Sequence, residues 1–364
     1  MNKAYKYRIY PNAAQRELFS KTFGCVRFIY NRMLEDKIVH YQKTGKILKL
    51  TPAMYKAEFP WLAEVDSMAL CNAQMQLQAA YRKFFQEKVI GFPKFRSKKS
   101  QCNSYTTNCI NGNVAIVGDK LKLPKTGMVK IKLHRQVPES HKIKSVTISM
   151  TPDGKYYASI LTEYDLDVPA LDINNSSALG LDYSSQFFYV NSEGDIAAMP
   201  HFYRDTEKRL KREQRKLSHM SKGCSNYQKQ KKVIAKLHAK IRNQRKDWQH
   251  KESRSIADNW DIVCVEDINM KKMAQGLHLA KATNDNGFGQ FRTLLAYKLA
   301  EQGKMLITID KWYPSSKLCR HCGVVNTELN LFERFWICPS CRTQINRDHN
   351  AAINIREAGL VMIA

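Results

Sequence analysis

The sequence predicts two architectures in succession: a small β domain with helices inserted into it, then an α/β domain. Three observations predict this. Residues 3–10 alternate, with Tyr5, Tyr7 and Ile9 on one face and Lys6, Arg8 and Tyr10 on the other, and comparable short-strand patterning returns only from about residue 103. Two short, mostly apolar runs, 261–266 and 304–309, flank a helical segment, as strands buried on both faces do. Between the halves, residues 166–177 are rich in Asp, Asn and Ser and read as a linker.

Each element has its own signal. Pro11-Asn12 opens a helix in which Leu18, Phe19, Phe23, Val26 and Tyr30 recur at helical spacing. A second helix spans about Ser67 to Glu87 and carries Leu70, Leu77, Tyr81, Phe84 and Phe85. Gly91-Phe92-Pro93-Lys94-Phe95 ends it, and the basic stretch Arg96-Ser97-Lys98-Lys99 follows. Strands with turns then run to about residue 165, including Asn111-Gly112-Asn113, the alternating 128–133, 144–150, and a hairpin turn at 151–155. After the linker, 178–182, 187–190 and the turn 191–195 open an antiparallel meander of a mixed sheet. Leu210 and Leu217, then Val233, Ile234, Leu237 and Ile241, mark a helical hairpin broken near Ser221-Lys222-Gly223. Phe291 to Ala300 is the last long helix before the buried strand 304–309.

The chain has 364 residues, enough for two or three domains. Its 59 Lys and Arg against 33 Asp and Glu leave a net charge of +26, which calls for a polyanionic partner. Residues 204–254 alone hold 18 Lys and Arg against 5 acids, so the hairpin presents a basic outer face. No apolar run is long enough to span a bilayer and no amphipathic anchor stands out, which favours nucleic acid over a membrane surface. The opening residues carry no apolar signal core, so export is not expected and a cytoplasmic location is. Cys25, Cys71, Cys102, Cys109, Cys224 and Cys264 lack disulfide-like spacing, as suits a reducing compartment.

Two constellations carry chemistry. Cys319-x₂-Cys322 and Cys338-x₂-Cys341, fifteen residues apart, have the spacing of a four-thiolate zinc site. Four thiolates leave no open coordination position, so this zinc is structural; a disulfide pair is the alternative. His321 and the neighbouring Arg320, Arg334 and Arg342 face either a phosphate or solvent. The second constellation is acidic. Asp182 and Glu266 close apolar strands and Asp348 starts the helix 350–355. Each alone reads equally as a cap or a strand-end turn. Together, in so basic a chain, they suit two Mg²⁺ ions aligning a water and a phosphodiester. Asp267 competes with Glu266, but alternation turns it to the opposite side; Asp310 is a weaker competitor.

These residues, with Tyr7-Arg8-Ile9-Tyr10-Pro11-Asn12, Gly24-Cys25-Val26-Arg27-Phe28-Ile29-Tyr30-Asn31, Gly91–Phe95, Leu179-Gly180-Leu181-Asp182, Val265-Glu266-Asp267-Ile268, Tyr313–Cys319 and Arg347–Ala352, give the chain a close resemblance to the TnpB (OrfB) family. These are RNA-guided DNA nucleases of bacterial insertion sequences, similar to compact type V CRISPR effectors. The resemblance implies an α/β RuvC-like, RNase H-type nuclease domain at 178–318 and 344–364, interrupted by a zinc-binding insertion at 319–343. It implies a wedge β-barrel domain at 1–11 and 100–168, with a helical recognition domain at 12–99. It maps the catalytic triad to Asp182, Glu266 and Asp348, with two Mg²⁺, one Zn²⁺, a guide RNA and double-stranded target DNA as partners, and a nucleoid-associated setting. Asn346 stands where the family commonly has an acid. Expected nucleic-acid contacts are Gln74, Gln78 and Tyr81 for the duplex motif, and Arg96, Lys98, Lys99, Arg209, Arg212, Lys216, Arg242, Arg245 and Arg347 for RNA or heteroduplex backbone. The rival readings are a non-catalytic zinc-ribbon regulator, which leaves the three acids unexplained, and a strand-joining transposase, for which no His-hydrophobic-His pair with a Tyr partner stands out. Monomer and dimer are both compatible with the sequence.

Overall fold

The structure is a computed structural model that describes all residues except 88, 101–102, 169–170, 271–272, 274, 276–282, 284, 331–332 and 364. Cys102 therefore lies outside the described residues. The chain divides into two compact units, Met1–Asp165 and Leu166–Ala364, with the boundary next to the predicted linker.

The first unit is built on β1 (Asn2–Tyr10), whose alternation buries Tyr5, Tyr7 and Ile9. After it come α1 (Ala13–Thr44), α2 (Ser67–Gln86), β2 (Asn103–Asn108), β3 (Ala115–Val117), β4 (Lys120–Leu123), β5 (Gly127–Lys132), β6 (Lys142–Met150) and β7 (Tyr156–Glu163). The strands form one antiparallel sheet in the order β2-β6-β7-β1-β5-β4-β3. That order has two ends, and among the described residues no pairing joins β2 to β3.

Helix α1 starts in a capping box: Gln15 N donates to Asn12 Oδ1 at 2.9 Å and Asn12 N to Gln15 Oε1 at 3.1 Å. The Gln15 amide then donates to the Met128 carbonyl at 2.9 Å, tying the helix start to β5. Phe19 and Phe23 of α1 pack on Tyr105 of β2, and Phe19 also on Tyr156 of β7. The helices and the sheet share one core. The Asn31 side chain bonds both the N–H and the carbonyl of Arg96, at 2.7 and 2.9 Å. The Arg96 guanidinium lies over the Tyr30 ring at 3.7 Å and donates to Gln76. Arg96 thus also pins its own loop, whereas Lys98 and Lys99 are exposed.

The second unit contains β8 (Ala178–Tyr183), β9 (Tyr189–Asn191), β10 (Ile196–Ala197), α3 (Phe202–Ser218), α4 (Ser225–Asn259), β11 (Ile262–Glu266), α5 (Phe288–Ala300), β12 (Met305–Ile309), β13 (Phe335–Ile337), β14 (Gln344–Asn346) and α6 (Arg347–Val361). Its main sheet runs β10-β9-β8-β11-β12, antiparallel at the first two junctions and parallel at the last two. Strand β11 is buried on both faces, as its apolar run requires. Val263 and Val265 pack with Leu179 and Leu181 against residues of α4 and α5, including Ile256, Phe288, Phe291 and Leu295. Ile262 and Cys264 pack on the other side with Ile355 of α6. Two glycines let α6 lie directly on that side. A Cβ on Gly180 would stand 1.9 Å from the Ala352 carbonyl oxygen, and one on Gly359 would stand 2.3 Å from Cys264 Sγ. Among the described residues no helix is long and apolar enough to cross a membrane.

Candidate active site and metal centre

Strand periodicity decides which acids meet. Asp182 has the parity of Gly180, and Glu266 the parity of Cys264, so both carboxylates emerge on the face covered by α6. Their strands are parallel neighbours with Val265 opposite Leu181, which sets the two acids side by side at the carboxyl ends of β8 and β11. Asp348 sits in the first turn of α6, where Asn346 caps the helix by accepting from His349 N at 3.1 Å. His349 Nε2 lies 3.1 Å from the Ser192 carbonyl, and the Ser192 hydroxyl accepts from Gly180 N at 3.1 Å. The helix start is thereby fixed to β8.

Burial, then the facing carboxylates of Glu266 and Asp348, hold the Asp182 carboxyl well above the usual range; Arg347 and Arg334 oppose them. Burial also raises Glu266, partly offset by Ser315, whose hydroxyl donates to its Oε1. Arg334 grips both oxygens of Asp348 at 2.8 Å. The three acids lie near enough to one another for Glu266 and Asp348 to bear on the Asp182 carboxyl, but among the described residues only the four thiols draw together as a metal-sized cluster. Asp267 points the other way, as alternation demands, and pairs with Arg292 of α5 at 3.5 Å. Asp310 accepts from Trp312 N at 2.7 Å and serves its own turn.

The thiols close up further than the acids. The Sγ atoms of Cys319 and Cys341 are 3.6 Å apart, those of Cys322 and Cys338 are 3.5 Å apart, and all four lie within 4.8 Å of one another. A Zn–S distance of about 2.3 Å gives a tetrahedron edge of roughly 3.8 Å, so this cluster could hold zinc. Each knuckle turns through a left-handed residue, Gly323 (φ 74°) and Arg342 (φ 59°). Leu329, Trp336 and Ile345 pack under Cys319 and Cys338 as a small core. Thr343 lowers the Cys341 thiol to about 6 by hydrogen bonding, whereas burial pushes Cys319 up to about 12.

The expected nucleic-acid residues divide. Gln78 on α2, Lys98 and Lys99, Arg209, Arg212 and Lys216 on α3, and Arg242 on α4 are exposed. Arg212 and Lys216 also lean on Glu213, at 3.3 and 3.7 Å. Tyr81 packs edge-on against Phe92. Gln74 donates its amide to the Leu50 carbonyl at 2.9 Å and is a loop anchor. Arg245 turns inward to Asp285 at 3.0 Å, because that acid is buried and needs a counter-charge. Arg347 donates to the Asn330 carbonyl at 3.2 Å. Sequence reasoning missed Ser315 and the Asp348 partner role of Arg334. The motif Tyr313-Pro314-Ser315-Ser316 was the only signal for the first, and proximity to the thiols for the second.

Over its full length the chain is 34% identical to a protein of Streptomyces pristinaespiralis named "Putative RNA-guided DNA endonuclease", covering 91% of it. The chain belongs to the TnpB (OrfB) family. Within this TnpB-family chain, residues 161–276 match the family described as "Probable transposase", and residues 288–355 match the "Cas12f1-like, TNB domain". Residues 1–46 match a "Helix-turn-helix domain", although here they form β1 and the single uninterrupted helix α1. A second relative, "Putative RNA-guided DNA endonuclease InsQ" of Escherichia coli (strain K12), is 28% identical over the whole chain and 93% of its own length. The fold is similar to that of Cas12f1 in a complex with single guide RNA and target DNA: TM-score 0.62, 12% identity, 98% of each chain covered.

Proposed function

We propose that the chain is an RNA-guided, Mg²⁺-dependent DNA endonuclease that cuts guide-complementary DNA beside a short duplex motif. The observation that supports this reading is that Asp182 and Glu266 end neighbouring parallel strands on the face covered by α6, whose first turn carries Asp348. The printed names of the Streptomyces and E. coli relatives agree with it. In this reading residues 178–318 and 344–364 form a RuvC-like nuclease domain of RNase H type, and 319–343 a zinc-binding insertion. The wedge comprises 1–11 and 100–168, and the recognition helices lie in 12–99.

Asp182, Glu266 and Asp348 would hold two Mg²⁺ ions. The bound ions supply Lewis-acid activation of water and charge neutralisation at the scissile phosphate. Arg334 steadies Asp348 and offsets the repulsion among the acids. The four cysteines would hold one Zn²⁺, which would stabilise the insertion and leave no position open for catalysis. The remaining basic residues, Lys98, Lys99, Arg209, Arg212, Lys216 and Arg242, grip guide RNA or heteroduplex through its backbone, and Arg347 lies beside the acids. Gln78 and Tyr81 remain candidates for the duplex motif. Pairing with the guide reads sequence, so few base-specific side chains are needed.

The test is Asp182→Ala in the guide-loaded protein. Mg²⁺-dependent cutting of guide-matched DNA disappears while guide binding persists. Undiminished cutting overturns the assignment, and binding without any cutting by the unaltered protein favours a regulator.

A further inference from the structure

Ser315 lies in the loop between β12 and the first thiol knuckle, yet it is only 6% exposed. Its hydroxyl donates to Oε1 of Glu266. Its backbone is held equally firmly. The Asn354 amide donates to the carbonyls of Ser315 and Leu318, at 2.8 and 2.7 Å, and the Asn350 amide to that of Leu318 at 2.7 Å. Asn350 Oδ1 accepts from Arg320 N at 3.1 Å. The two asparagines are 1% and 4% exposed and stand four residues apart on one side of α6. Buried amides committed in this way hold their partners strongly, because breaking such a bond strands a polar group away from water.

One loop residue therefore joins two of the three acids: Glu266 through its hydroxyl, and the helix of Asp348 through its carbonyl. We infer that Ser315 is a positioning residue of the cleavage centre, fixing the Glu266 carboxylate through Oε1 so that Oε2 remains available to a cation. The Asn350–Asn354 clamp keeps that hydroxyl in register with Asp348 and with the first knuckle. The inference rests on the nuclease reading above. It assigns Ser315 no contact with substrate.

The test uses guide-loaded full-length protein, with Mn²⁺ as the probe, read by electron paramagnetic resonance, and with Mg²⁺-dependent cleavage read separately. Ser315→Ala retains its melting temperature and guide binding but binds Mn²⁺ about tenfold more weakly, within the range seen when a ligand's hydrogen-bond partner is removed. Its cleavage deficit is largest at limiting Mg²⁺ and narrows as Mg²⁺ rises. Ser315→Thr, which keeps the hydroxyl, recovers both. If Ser315→Ala does not fold, Ser315→Cys keeps the volume with a poor donor and shows the same loss. Unaltered Mn²⁺ affinity in the folded variant, or loss that threonine does not recover, overturns the inference. Mn²⁺ binding that is also indifferent to Asp182→Ala fells the nuclease reading itself; dependence on Asp182 alone fells only the role of Ser315.

Discussion

At the residue scale, similar side chains take opposite roles according to what they face. Arg242 and Arg245 are three apart on α4, yet the first is exposed and the second neutralises the buried Asp285, which also accepts from Tyr203 N. Arg245→Met leaves that carboxylate unpaired and lowers stability by about 3 kcal/mol in chemical denaturation, with little effect on guide binding by the folded fraction. Gly180 is the second case. Gly180→Ala drives a methyl group into the Ala352 carbonyl, so α6 must shift and carry Asp348 with it. Denaturation should report a loss of at least about 2 kcal/mol, and cleavage should fall about a hundredfold at saturating Mg²⁺. The positions of the three acids in the fold were legible because Asp182 and Glu266 end strongly patterned strands and Asp348 opens a helix. Arg245 was not, because its partner lies 40 positions on, and a basic residue inside a basic helix carries no mark of which way it turns. Ser315 carried little signal beyond its motif for a similar reason: a loop serine means little until the carboxylate opposite it is known.

At the element scale, α5 holds an unusual cation. Lys298 is buried, and burial depresses its ammonium to about 8 while it donates to the His250 carbonyl and to Ser253 at 2.8 Å. The unfolded chain keeps that proton to higher pH, so between about pH 8 and 10.5 unfolding takes up a proton and native stability rises with pH. Lys298→Met removes the group. The stability of the unaltered protein relative to this variant should therefore climb from pH 7 to 10; a flat difference across that range refutes the account. Strand β11 was plain in the sequence because it is buried on both faces, whereas β12, expected to be buried likewise, is an edge strand that exposes Met305 and Thr308 and buries Ile307 and Ile309. The β-barrel was less legible, since strand alternation fixes faces but does not say whether the end strands meet. The recognition helices likewise could not be told apart from a sheet-packed layer, because Phe19 and Phe23 need an apolar neighbour without specifying which one.

At the scale of the whole molecule, charge dominates. With a net +26, binding to guide RNA should show a steep linear fall of log affinity with log salt, roughly a thousandfold or more between 50 and 200 mM if about six to ten phosphates are neutralised. Reversing Arg209, Arg212, Lys216 and Arg242 to Glu should flatten that slope as well as weaken binding. An unchanged slope would show that the hairpin is only a solvated face. The packing of α6 on β8 has a different kind of consequence. The helix that brings Asp348 follows Glu266 by more than eighty residues, and the sheet face around Gly180 is not covered until that helix has been made. A polypeptide truncated anywhere in that interval carries Asp182 and Glu266 without Asp348, and leaves the sheet face around Gly180 bare.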